Sequence, residues 1–141
     1  MLGQMYRQYK DRAEFFLIYI REAHASDEWQ TALNAASRIV VPAPRSYREK
    51  SATAQTCAIH LGIEIPVLVD DFEHSTERKY HAWPDRIYLA GKDGRLAYKG
   101  RAGPYGFHPR EAEHALRIEI GEPLAAPVGN PGEESSDPAA F

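Results

Sequence analysis

The sequence predicts a mixed α/β domain, and three observations lead there. Two almost continuous apolar runs, FFLIYI at residues 15–20 and PVLVD at 66–70, read as buried strands. Segments with apolar residues at helical spacing separate and follow them. Two strand-like runs, 86–90 and 95–98, flank Lys92-Asp93-Gly94, a hairpin signal in which Asp-Gly supplies positive φ angles.

In chain order, Leu2, Met5, Tyr6 and Tyr9 mark a helix over 2–12. Its basic residues Arg7, Lys10 and Arg12 suit the carboxyl end of the helix dipole. It starts at the initiator methionine without a capping residue. The strand at 15–20 leads into a long irregular stretch, 23–45, containing Pro42 and Pro44; loops of that length are usually functional or disordered. Ser46 with Glu49 three residues on reads as a capping box opening a helix to Leu61, with Gly62 as its C-cap. The strand at 66–70 precedes a helix over 73–80, which ends near Trp83-Pro84. After the hairpin, residues 109–120 form the last helix, with Pro109 in its first turn. Beyond Gly121 the composition shifts to Pro, Gly, Ala, Ser and Glu. The expected organisation is one domain over 1–121 and a disordered tail over 122–141.

Composition narrows the function. At 141 residues, 43% hydrophobic and 26% charged, the chain suits a single soluble domain. A net charge of −3 with mixed signs gives no nucleic-acid or anionic-membrane surface. No apolar run is long enough to span a bilayer and no secretory signal is visible, so the expected location is cytoplasmic. The single cysteine, Cys57, excludes an internal disulfide, a CxxC pair and a multi-thiolate metal site.

The strand at 15–20 runs into a cluster holding Glu22, His24, Ser26, Asp27, Glu28 and Trp29. Parallel α/β sheets carry chemistry in the loops after their strands, and Glu22 with His24 suits proton transfer; plain capping and solvation of the loop is the other reading. Ala54, Cys57, Ala58 and Leu61 form one apolar helical stripe, so Cys57 reads as a small buried hydrophobe with a protonated thiol. Gly100, Gly103 and Gly106 read as turn residues, since no Gly-Lys-Ser/Thr follows. His74 and His81, near Glu73 and Glu77, are two helical turns apart, which reads as a solvated face rather than a metal site. Trp29 and Trp83 either line an aromatic-binding pocket or fill core.

The pattern helix, strand, long loop, helix, strand, helix, hairpin, helix matches the back half of a thioredoxin-like fold. YIREAHASDEW at 19–29 and PDRIYLAGKDGRLAYKGRAGPYGF at 84–107 resemble segments of the iodothyronine deiodinase family, including its bacterial relatives. VPAPRS at 41–46 and PVLVD fall between them in the expected order, so the resemblance covers residues 2–120.

That resemblance implies an oxidoreductase in which a selenocysteine or cysteine takes iodine from an aromatic ring and a proton donor serves the ring carbon. It implies catalytic roles for Glu22, His24 and Ser26, and substrate contacts from Trp29, Arg45, Pro84 (as a cis-proline) and Arg101. No metal or other cofactor is implied. A second histidine of many animal members is replaced by Pro44. A basic residue before Gly-Pro is replaced by Ala102, with Arg101 one residue earlier and, in an extended segment, on the opposite face.

In the implied fold, the nucleophile sits on a first core strand lying between the strands at 15–20 and 86–90. That strand is missing from this chain, which leaves two unpaired inner edges. Either another chain fills the gap, as in a homodimer, or Met1 is a false start after a selenocysteine codon read as stop. The expected function is a deiodinase-like or peroxiredoxin-like oxidoreductase, inactive as this chain alone, with a thiol reductant and a small-molecule substrate as partners. The alternatives are a non-catalytic thioredoxin-fold module binding a small aromatic ligand and an interaction protein completed by a partner's strand.

Overall fold

The structure, a computed structural model, describes residues 1–22, 25 and 41–122, and its elements follow the order read from the pattern. They are α1 (Leu2–Tyr9), β1 (Leu17–Tyr19), α2 (Tyr47–His60), β2 (Val67–Val69), α3 (Ser75–Tyr80), β3 (Tyr88–Ala90), β4 (Leu96–Lys99) and α4 (Pro109–Glu119). The class is mixed α/β. Of the tail read as disordered, Glu122 is described and is tied to Arg12 and Arg117, while residues 123–141 lie outside the described set.

The core forms where helical spacing puts apolar residues on one face. Met5 and Tyr9 of α1 meet Leu116 of α4, with Leu2, Ala13, Phe15, Leu89 and Ile120 packed around them. Tyr6 and Phe15 add an edge-to-face ring pair at 5.7 Å. Arg12 donates to the Ile120 carbonyl at 2.9 Å and pairs with Glu122, fastening the end of α1 to the end of α4.

Capping chemistry fixes the ends of α2. Ser46 Oγ accepts from the Glu49 N–H at 3.2 Å, and Glu49 Oε2 accepts from the Arg45 N–H at 2.7 Å. The return bond thus lands one residue before the cap. At the other end Gly62 takes φ +59°, with the Ile63 N–H bonded to the Ala58 carbonyl and the Gly62 N–H to the Ile59 carbonyl. That is a Schellman closure. The helix α4 ends the same way at Gly121.

β1 and β2 are parallel, with Leu17, Ile18 and Tyr19 opposite Val67, Leu68 and Val69. β3 and β4 form an antiparallel hairpin, and among the described residues the two pairs share no strand ladder. Two expectations are corrected here. The strands at 15–20 and 66–70 are not buried on both faces, because the partners Ile18 and Leu68 lie on one face and remain 43% and 48% exposed. In the hairpin only Gly94 has positive φ, not Asp93. The loop has three residues, with Gly94 N–H on the Gly91 carbonyl and Gly91 N–H on the Arg95 carbonyl, and that turn needs one left-handed residue. No helix among the described residues is long and apolar enough to cross a membrane.

Candidate functional site

Because β1 and β2 are parallel, both end on the same side of their sheet, and their outgoing segments meet there. β1 delivers Arg21 and Glu22; β2 delivers Asp70 and Asp71, followed by α3. The Tyr19 hydroxyl, at the last position of β1, donates to Glu22 Oε1. Glu22 lines a cavity of about 120 Å³ with Arg21, Ala25, Ala43, Pro44, Lys50, Phe72 and His74.

A layer of charge underlies this cavity. Asp70 is buried, and its carboxylate accepts from the N–H groups of Asp71, Thr76 and Glu77, each at 3.0 Å. Burial pushes its pKa up, but the backbone donors of Glu77 and Thr76, with Lys50 nearby, outweigh burial and leave it below the ordinary value. Lys50 is 0% exposed and donates to the Asp71 carbonyl at 2.9 Å. Burial lowers its pKa, while Asp70, Asp71 and Glu77 favour the charged form.

Glu77 is buried as well, at 7% exposure, which corrects its reading as part of a solvated face; Glu73 and His81 are exposed as that reading expects. Its Oε1 accepts from Arg21 Nη2 at 3.2 Å, and that guanidinium lies 5.3 Å from the centroid of the Trp83 ring. Trp83 is therefore not core: it is 44% exposed. It lines a second, larger cavity of about 520 Å³ with Glu77, Arg78, His81 and Arg86.

The Trp83–Pro84 bond is cis, as the resemblance implied, and Gly103–Pro104 is a second cis bond. Asp85 Oδ1 and Arg86 Nε are buried without a hydrogen-bond partner among the described residues. Burial raises the Asp85 pKa. Gly103 and Gly106 lie in a turn as read, whereas Gly100 follows β4 and bonds to the Ile87 carbonyl; a Cβ on Gly103 would fall 1.9 Å from Asp85 Oδ1.

The sequence-derived site residues do not all meet. Glu22 faces the smaller cavity. His24, Ser26 and Trp29 lie outside the described residues. Arg45 is exposed and uses its backbone N–H on Glu49; Pro44, not Arg45, lines the cavity. Arg101 is exposed beyond β4, 3.3 Å from His108 Nε2, and lines neither cavity. Cys57 is half-buried, and burial together with Glu22 raises its pKa, so its thiol stays protonated. The stripe assigned to it stops short, since Leu61 is exposed. Among the described residues no group of three or more His, Cys, Asp or Glu side chains is placed to hold a metal.

Sequence reasoning missed Tyr19, Arg21 and Lys50, and read His74 and Glu77 as a solvated face. One signal was present: Lys50 stands four residues before buried Ala54 and extends that stripe by a turn.

The iodothyronine deiodinase family profile matches residues 2–119. The chain is 32% identical over 109 residues to the type I iodothyronine deiodinase of Xenopus laevis, covering 77% of this chain and 41% of that protein. It is 32% identical over 112 residues to the thyroxine 5-deiodinase of Sparus aurata, covering 77% and 39%. With the type II iodothyronine deiodinase of Neoceratodus forsteri it shares 27% over 115 residues, covering 80% and 42%. The chain thus spans about two fifths of the length of these curated relatives.

Proposed function

Because this chain belongs to the iodothyronine deiodinase family, we propose that it forms the Glu22-bearing part of a thioredoxin-like oxidoreductase that reductively removes iodine from an iodinated aromatic ring. The reactive selenocysteine or cysteine comes from a strand seated between β1 and β3, so the chain alone does not turn over. The observation that carries this reading is the Tyr19–Glu22 pair at the carboxyl end of β1, facing a cavity. The separate sheets support it, since β1 bonds to β2 and β3 to β4, which among the described residues leaves an edge of each for an inserted strand.

The chemistry follows from what each group can supply. The chalcogen's electron pair bonds to iodine while the carbon–iodine pair stays on the ring carbon, which takes a proton. Tyr19 donates to Glu22, and the carboxyl passes the proton onward with His24 and Ser26 as its partners. A thiol then attacks the chalcogen and releases iodide, and a second thiol frees the chalcogen as a disulfide forms. The location assigned is cytoplasmic, with a thiol reductant as electron donor; Trp29, Arg45, Pro84 and Arg101 are the proposed substrate contacts.

A second reading, a non-catalytic module for a small aromatic ligand, draws on the larger cavity beside exposed Trp83. The two separate on thiol-dependent iodide release from an iodothyronine by the protein extended in frame upstream of Met1. Release that collapses in Glu22→Gln supports the first reading. Stoichiometric binding without release, unaffected by Glu22→Gln, supports the second.

A further inference from the structure

Lys50 and His74 have no part in the chemistry just described, yet both line the cavity that Glu22 faces. We propose that Lys50 is a positioning residue that fixes the tautomer of His74, so that the ring presents its Nε2–H as a hydrogen-bond donor of that cavity. The tautomer stands independently of the function proposed above; its use in turnover rests on that reading.

The inference starts from donor and acceptor counts. An ammonium group has three N–H donors and no acceptor. Lys50 Nζ spends one donor on the Asp71 carbonyl at 2.9 Å, and His74 Nδ1 lies within hydrogen-bond distance of it at 3.4 Å. A hydrogen bond between the two requires a bare Nδ1, which places the proton of a neutral imidazole on Nε2.

The competing arrangement has Nδ1–H donating to Glu77 Oε2. Distance decides against it, because that pair is 3.9 Å apart and Oε2 is buried without a hydrogen-bond partner among the described residues. Glu77 is engaged through its other oxygen by Arg21. Burial lowers the pKa of Lys50, and the nearby carboxylates of Asp70, Asp71 and Glu77 act the other way, favouring its charged form.

The backbone agrees with a ring held for a purpose. His74 has φ +57° and ψ +41°, a left-handed conformation costly to a residue with a Cβ. The surroundings enforce it. Asp71 accepts from the Ser75 N–H and hydroxyl, and Asp70 accepts from Thr76 and Glu77, which clamps the chain on the following side. Phe72 packs its ring 6.4 Å from the imidazole centroid. The cavity then carries the Glu22 carboxylate as an acceptor and Lys50 with His74 as donors. A bound group that both accepts and donates a proton would meet both.

The test is ring nitrogen NMR on the full chain at pH 8, with long-range proton couplings assigning each nitrogen of His74. The expected spectrum has a single neutral tautomer, protonated at Nε2. In Lys50→Met the ring is expected to become a mixture or to move its proton to Nδ1 toward Glu77, and Lys50→Arg, again a donor without an acceptor, is expected to restore the wild-type state. A wild-type ring protonated at Nδ1, a doubly protonated ring at pH 8, or a tautomer unchanged in folded Lys50→Met would each overturn the proposal. If Lys50→Met fails to fold, a wild-type ring protonated at Nδ1 or doubly protonated still overturns the proposal.

Discussion

Replacing Asp70 with alanine removes the acceptor of three backbone donors at the entry to α3, and the structure sets the size of the effect. The bond from Glu77 is buried, so the stranded N–H has no water to turn to; a hydrogen bond to a charged group contributes about 1.5–3 kcal/mol. The bonds from Asp71 and Thr76 are partly open to solvent, and water replaces them at about 0.5–1 kcal/mol each. Losing the carboxylate also strips Lys50 of a compensating charge, while relief of the carboxylate's own burial acts the other way. The net expectation is a loss of about 3 kcal/mol. In urea, with a slope of about 2 kcal/mol/M, that moves the midpoint down by roughly 1.5 M at unchanged slope. The pH dependence has a definite sign. Asp70 has a folded pKa below its unfolded value, so its contribution is complete above the ordinary aspartate range, about 4, and is lost as pH falls through the folded value. The difference between wild type and Asp70→Ala is therefore expected to shrink in acid. A loss under about 1 kcal/mol at pH 7, or one that persists unchanged into strong acid, would refute the carboxylate's role in seating α3.

Three further outcomes follow from the same geometry. Gly103→Ala should cost about 1–3 kcal/mol by forcing Asp85 aside, and chemical denaturation of Gly103→Ala in an Asp85→Ala background should show most of that cost removed. Asp85 has a pKa raised by burial, so its charged form opposes folding. Asp85→Asn should gain stability relative to wild type as pH rises from below 4 to 7, and thermal melts across that range would show the gain. Cys57→Ala should leave thiol-dependent turnover of the extended protein unchanged, because a half-buried thiol whose pKa is raised by burial and by Glu22 is a poor nucleophile; a large loss of turnover would put Cys57 in the mechanism.

The elements were legible in the sequence because periodicity and capping are local. Leu2, Met5 and Tyr9 declare α1 by spacing alone, and Ser46 with Glu49 declares the start of α2 by chemistry that needs no distant partner. The charged layer was not legible for the opposite reason. Lys50, Glu77 and His74 look like solvated helix residues until chain segments 21 or more positions apart come together around them, with Arg21 reaching Glu77 across 56 residues. The default that charges face water fails where each has a partner. Trp83 went the other way: it is 44% exposed, and the group set against its ring is the Arg21 guanidinium at 5.3 Å. Of the proposed catalytic residues, only Glu22 lies among those the structure describes, and the distances bear on it alone.

Iodide release measured on the upstream-extended protein tests the central claim most directly, with an iodothyronine as substrate and a dithiol as reductant. The account predicts release by the extended protein, none by the 141-residue chain, and a fall of about 10²-fold or more in Glu22→Gln with the fold intact. Equal turnover in Glu22→Gln and wild type, or release by the 141-residue chain alone, would contradict it.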